Sequence, residues 1–320
     1  GTWTNLAQVV STWSGQVGAD WRITSKDTLG ASLQYRELVN ATNRSPFTAA
    51  YGAGVTGDAT HSQGAATGVG TVTQANQSNW IQPNKNTHLT TKYEHRGDVW
   101  RLDASGSFSQ AKGRRLDVDR GFFAQLPSTI ATIVLRGDGI PAKGGNLPTR
   151  YSATTRTGVP VDVYDGANYT INTAMSDQEF RKTTSTAARL NLARDFTGAL
   201  PLTVKAGLSR TSMARDERRR NMSWDFRPNG ASDLPSRTAS RFDVFDEAFN
   251  AVAPTLYGKP MRWISTARGY ALFQQHPDWF VLQVPGAHQN QVNGSREFTE
   301  TISGAYVRTD VRLGQNRLWI

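Results

Sequence analysis

The sequence predicts an all-β chain, folded as an antiparallel transmembrane β-barrel segment of about eight strands in hairpins with short periplasmic turns and long extracellular loops. Three observations predict it. Apolar and polar residues alternate with a period of two, and the alternating segments come in pairs. Turns inside a pair are short, whereas the links between pairs, near 39–85, 110–185 and 212–298, far exceed the connections of a compact soluble domain. Aromatic residues fall at the strand ends, where rings favour the headgroup level of a bilayer.

The first hairpin, near 17–36, puts Val17, Ala19, Trp21 and Ile23 on one face and Gly18, Asp20, Arg22 and Thr24 on the other. Past a turn at 25–28, Leu29, Ala31, Leu33 and Tyr35 alternate with Gly30, Ser32, Gln34 and Arg36. In the second, near 87–109, Leu89, Thr91 and Tyr93 are answered by Trp100, Leu102, Ala104, Gly106 and Phe108 across a turn at 95–98. The third, near 186–210, sets Ala188, Leu190 and Leu192 against Leu202, Val204, Ala206 and Leu208. The fourth, near 299–320, alternates Ala305, Val307, Thr309 and Val311 with Tyr306, Arg308, Asp310 and Arg312, then turns at 313–316. In hydrocarbon every backbone donor and acceptor must be satisfied within the protein, so such a sheet spans only if it closes. Trp100, Phe196 and Trp319 sit beside short turns and fit a periplasmic aromatic girdle; Tyr35 and Phe108 fit the outer one.

Composition narrows the function classes. The 320 residues are 38% hydrophobic and 19% charged, with no cysteine, so disulfide frameworks, thiolate metal sites and cysteine nucleophiles are absent. No run approaches the roughly 20 apolar residues of a spanning helix. The net charge of +10 ordinarily points to a polyanionic partner. Its distribution points elsewhere. On the polar face, Asp20, Arg22, Gln34, Arg101, Asp103, Arg189, Lys205, Arg308, Asp310 and Arg312 are expected to line a lumen. At the outer rim, Arg36, Lys112, Arg114, Arg115, Arg215, Arg218, Arg219 and Arg220 follow ascending strands, where forked guanidinium groups suit lipopolysaccharide phosphates or simply solvate the loop bases. Trp263, Tyr270, Phe273, Trp279 and Phe280 concentrate in the third link, either as a ligand-capturing surface or as the loop's own small core.

Catalytic motifs are missing. There is no Gly-x-Ser-x-Gly, the nearest approach to a phosphate loop at 137–143 has Ala142 where its second glycine belongs, and His61, His88, His95, His276 and His288 lack metal-ligand spacing. No enzyme activity and no cofactor is expected.

The hairpins resemble a known family. Residues 300–320 (ETISGAYVRTDVRLGQNRLWI), with Tyr306 and Asp310 before the Asn316-Arg317-Leu318-Trp319 return, are similar to a late-barrel hairpin of TonB-dependent outer-membrane receptors; 19–36 (ADWRITSKDTLGASLQYR) and 187–209 (AARLNLARDFTGALPLTVKAGLS) are similar in style. The resemblance covers the hairpins and hardly touches the loops. It implies an interior slice, 1–320, of a plugged 22-stranded barrel in the bacterial outer membrane, without plug domain or TonB box. It implies import of a scarce nutrient such as a ferric siderophore, cobalamin or oligosaccharide, with outer-membrane lipid and lipopolysaccharide around it and the TonB complex as energy source. Two other readings stay open: a passive porin-like barrel, and a soluble basic β-protein that binds polyanions. Nucleic acid is not an expected partner, because aromatics are not interleaved with the basic runs.

Overall fold

A computed structural model describes residues 1–141, 147–198, 201–313 and 316–319, with side chains described as far as residue 311. The first hairpin joins β1 (Thr2–Arg22) to β2 (Asp27–Ala50). Short strands β3 (Thr56–Gly57), β4 (His61–Gln63) and β5 (Gly70–Gln74) precede the second hairpin, β6 (Trp80–Arg96) with β7 (Trp100–Arg115). Next come β8 (Ser128–Asp138), β9 (Arg150–Thr155), β10 (Pro160–Val161) and β11 (Thr170–Ile171), then the third hairpin, β12 (Thr173–Phe196) with β13 (Leu202–Phe226). The last link carries α1 (Glu247–Val252), α2 (Thr266–Gln275), β14 (Phe280–Leu282) and α3 (Val284–Gly294) before β15 (Arg296–Leu313) and β16 (Asn316–Trp319).

All sixteen strands join one sheet in which the long ones run as a meander, β1-β2-β6-β7-β12-β13-β15-β16. Every pairing is antiparallel, and the long registers run without a slip from end to end. An unbroken register keeps each residue on one face of the sheet, because successive side chains alternate.

The chain is therefore all-β with an antiparallel sheet, but two expectations need correction. The strand number exceeds eight: the four predicted hairpins are present, and shorter strands in the links bring the sheet to sixteen. The links are also shorter than 39–85, 110–185 and 212–298, because β2 continues to Ala50, β6 begins at Trp80, β12 begins at Thr173 and β13 runs to Phe226. In these extensions polar residues occupy both faces, as in Glu179 to Thr184, so alternation of polarity carries no signal although the backbone stays extended. Among the described residues no pairing joins β1 to β15 or β16, so the sheet is open and closure is not found. The turn expected at 313–316 falls partly on residues 314 and 315, outside the described residues.

The links fold into a cap at one end of the long strands, and this cap holds the hydrophobic core. Phe47, Val72, Phe123, Leu126, Leu135, Tyr169, Ile171, Phe226 and Leu256 are almost fully buried there. Phe123 is its hub, with ring centroids 5.4 to 5.9 Å from Trp224, Tyr270, Phe273 and Phe280. Such offset and edge-on aromatic contacts each add about 0.5–1.5 kcal/mol beyond the area they bury. Side-chain caps set the helix starts: Asp246 accepts from the Phe249 amide for α1 and Ser265 from the Arg268 amide for α2. The Asp117 carboxylate turns the chain after β7 by accepting from Val118, Ser176 and Asp177, and burial pushes its titration upward despite those bonds.

Candidate functional site

The long strands below the cap present two faces of opposite character. One cross-strand line reads Trp21, Leu29, Tyr93, Ala104, Leu190, Leu208 and Ala305. The line one residue over, on the other face, reads Asp20, Gly30, Lys92, Ser105, Arg189, Ser209 and Gly304. Exposure inverts the usual relation. Val307 is 77% exposed, Trp13 64%, Val17 66% and Leu208 60%, whereas Asp310 and Glu217 on the polar face are 3% and 2% exposed. A water-soluble domain buries the first set and solvates the second.

Most charges on the polar face are arranged in pairs. Arg101 meets Asp195 at 2.6 Å, Arg96 meets Asp103 at 2.8 Å, and Asp310 is held by Lys205 at 3.0 Å and Arg308 at 2.5 Å. Nearer the cap, Glu217 is bound by Arg215 and Arg296 at 3.1 and 3.0 Å, Glu179 by Arg181 at 2.6 Å, and Arg115 pairs with Asp177. The Trp80 ring is flanked by the Arg44 and Arg115 guanidinium groups, 4.4 and 4.9 Å from its centroid. This face is crowded at Gly207, where a Cβ would lie 2.2 Å from the Tyr306 ring, whose hydroxyl reaches Asn191 at 3.2 Å.

The aromatic residues on the apolar face form two rows. Trp13, Tyr35 and Phe108 make one, with the Trp13 and Tyr35 rings 5.3 Å apart. Trp21, Trp100 and Phe196 make the other, and Arg194 lies over both Trp100 and Phe196, at 4.9 and 4.7 Å. Phe108 registers through Leu89 and Leu33 with Val17, four residues from Trp13; the line of Trp21 reaches Ala104, four residues from Trp100. Both rows slip by the same amount in the same direction across the same three strand spacings. With about 3.3 Å per residue and about 4.8 Å between strands, that slip corresponds to rows inclined about 42° to the perpendicular of the strands. Between the rows the face carries no charged side chain on β1, β2, β6 or β7.

Each residue singled out in the sequence can now be placed. Asp20, Arg22, Gln34, Arg101, Asp103, Arg189, Lys205, Arg308 and Asp310 share the polar face by register; the backbone of Arg312 follows that register, with its side chain outside the described residues. The rim arginines divide. Lys112, Arg114, Arg218 and Arg220 share the face of the apolar line, and Arg36, Arg115, Arg215 and Arg219 the polar face; the strands continue past all of them except Arg115, the last residue of β7. Trp263 and Phe280 are buried in the cap, with Tyr270, Phe273 and Trp279 packed against the same core. Of these five, Trp263 also stacks on Trp3 at 5.9 Å and borders a cleft of about 390 Å³ between the cap and β1, β2 and β6, together with Val9, Trp80, Phe122 and Phe249. Glu179, Glu217, Asp177 and Asp195 were missed by the sequence reading; the parity that singles out Arg189 reaches all four if it is carried along β12 and β13.

No family model, no curated protein and no solved structure matches this chain. Among the described residues no helix is long and apolar enough to cross a membrane, which says nothing of strands, and no cluster of metal-ligating side chains occurs.

Proposed function

We propose that this chain is wall and cap of an outer-membrane β-barrel that takes up a small nutrient ligand, with energy drawn from the TonB complex as the hairpin resemblance implies. One observation carries the membrane part: the sheet exposes an apolar face, free of charge between the aromatic rows on β1, β2, β6 and β7, while the opposite face is polar and buries the ion-paired carboxylates Glu179, Glu217 and Asp310. Exposed in water, that face would far exceed the apolar patch a soluble monomer tolerates; in a bilayer it faces lipid while the charged face lines an aqueous interior.

The aromatic rows support the same reading. Strands of such barrels tilt by about 35–45°, and a girdle held level at the membrane surface must then slip along successive strands by the amount seen here. Eight residues separate Trp13 from Trp21 and Trp100 from Phe108. That is about 26 Å along the strand and about 20 Å of height at this tilt, on the scale of the hydrocarbon core. A folded cap over one end favours a receptor over an open passive pore, because it builds a bounded cleft on rigid strands. The soluble polyanion-binding alternative leaves the exposed face unexplained.

In the mechanism the cap captures the ligand and the ion-paired polar face offers it a hydrated path; coupling to TonB falls to parts of the barrel assembly outside this sheet. The experiment is membrane fractionation with gel migration. The protein carrying this chain is expected in outer-membrane fractions with heat-modifiable migration, and recovery as a soluble periplasmic species would overturn the proposal.

A further inference from the structure

The cleft between the cap and β1, β2 and β6 opens where the sheet parts. β2 pairs with β6 as far as Thr42 opposite Trp80 and with β5 from Phe47 opposite Gln74, so residues 43–46 have no strand on that side. Asn79 fills part of the gap, its Oδ1 accepting from the Arg44 amide at 2.6 Å. Ala41 and Ser45 from one face of β2, and Thr42 and Arg44 from the other, therefore border the same cleft. Its apolar wall is formed by Val9, Ile81, Phe122, Phe249 and Ile264. Trp263 borders it as well, only 3% exposed, and its Nε1 has no acceptor among the described residues. A buried N–H left unpaired is costly. The cap nevertheless fixes this residue: Asn250 Oδ1 accepts from the Trp263 amide at 2.9 Å and Asn250 Nδ2 donates to its carbonyl at 3.2 Å. The N-terminus of α2 reaches the same cleft through Thr266 and Ala267, whose amides, at the first two helical positions, have no acceptor within the helix. Two opposite charges complete the border. Arg44 has no ion pair among the described residues; its guanidinium donates to the Ser78 carbonyl at 3.3 Å and lies over the Trp80 ring. Asp246 has none either, and its carboxylate accepts from the Phe249 amide at 3.1 Å.

We propose that this cleft binds a small zwitterion with a bulky apolar side chain, an amino acid or short peptide, whose carboxylate meets the Trp263 indole N–H and the first amides of α2 and whose ammonium group meets Asp246. The proposal rests on the uptake reading above and deepens it by naming the class of ligand. Each part of the ligand answers one feature of the cleft. A carboxylate offers two acceptor oxygens to donors that the protein leaves over, and a helix N-terminus favours negative charge. An ammonium group offers three donors to the Asp246 carboxylate, which would repel a simple anion. The apolar wall takes the side chain out of water. At about 390 Å³ the cleft is of the size that holds small molecules. A neutral sugar would leave both charges unanswered.

The test is titration calorimetry on the intact protein in detergent, with L-phenylalanine and with L-phenylalanyl-L-leucine, each compared with its N-acetylated and its C-amidated analogue. The zwitterions should bind saturably, and blocking either charge should weaken binding roughly tenfold or more. The tighter of the two parent ligands identifies free amino acid or peptide as the source. Asp246→Asn keeps a good N-cap for α1; it should weaken the zwitterion to the level of its acetylated analogue and leave the affinity for that analogue unchanged. Trp263→Phe keeps an aromatic ring and removes the N–H, and should weaken the carboxylate ligands more than the amidated ones. Equal affinity for charged and blocked ligands would overturn the proposal, as would no binding by protein whose gel migration is heat-modifiable. That second result leaves the outer-membrane reading standing. Charge-selective binding by a protein recovered soluble without detergent would do the reverse, supporting the cleft and rejecting the membrane reading.

Discussion

Leu190 shows most simply what the apolar face asks of one residue. It lies between the aromatic rows, 45% exposed, with Ala104 and Leu208 beside it. On a water-facing surface Leu190→Arg would change stability by no more than about 0.5 kcal/mol; facing the bilayer midplane it should cost about 2–4 kcal/mol, read by denaturant unfolding in vesicles. Glu217 is the counterpart on the polar face. Its loss leaves Arg215, Arg219 and Arg296 without their shared carboxylate. Glu217→Ala should therefore destabilise by about 1–3 kcal/mol, and combining it with Arg215→Ala and Arg296→Ala should recover part of that in a thermal-unfolding series. Asp58, in the cap, supplies the acid limit. The Thr60 hydroxyl and amide hold its carboxyl down at about 2, helped by the His61 amide. A depressed folded value means the contribution is complete above the ordinary 3.8 and is lost as pH falls from there through about 2. An NMR titration should place Asp58 in that interval, and Asp58→Asn should flatten the pH dependence of cap stability there.

At the scale of the element, legibility followed contrast. Residues 17–36 are readable because Val17, Ala19, Trp21, Leu29 and Leu33 share one face while Asp20, Arg22, Gln34 and Arg36 share the other. The first half of β1 is not, since Leu6 and Val10 lie on one face and Trp3, Val9 and Trp13 on the other, which cancels the period-2 signal. The upper half of β12 fails for the opposite reason, with Glu179 and Arg181 on one face and Lys182 and Thr184 on the other, all polar. The cap was the least readable part. Its core draws Phe47 from β2, Phe123 and Tyr169 from the second link, Trp224 from β13 and Trp263 from the third link, so no local stretch carries the pattern. Phe123→Ala should cost about 3–5 kcal/mol through the cavity it leaves. Hydrogen exchange should show the loss in β5, β8 and α2, with the lower halves of β12 and β13 protected as before.

Over the whole molecule, the proposed membrane setting assigns the two ends to different solvents. The cap packs an ordinary apolar core among folded links, while the hairpins leave many of their apolar residues exposed. The net charge of +10 is distributed accordingly, much of it in pairs on the polar face and the unpaired remainder of the long strands gathered partly above the upper aromatic row. The central claim is that the face of Leu190 meets lipid and the face of Arg189 meets water. Nitroxide labels introduced one at a time from Thr186 to Arg194, in the chain reconstituted in bilayers, test it most directly. Even-numbered positions should be accessible to oxygen and shielded from a water-soluble nickel chelate, odd-numbered ones the reverse, with a period of two. Equal access of the nickel chelate to both sets would contradict the account.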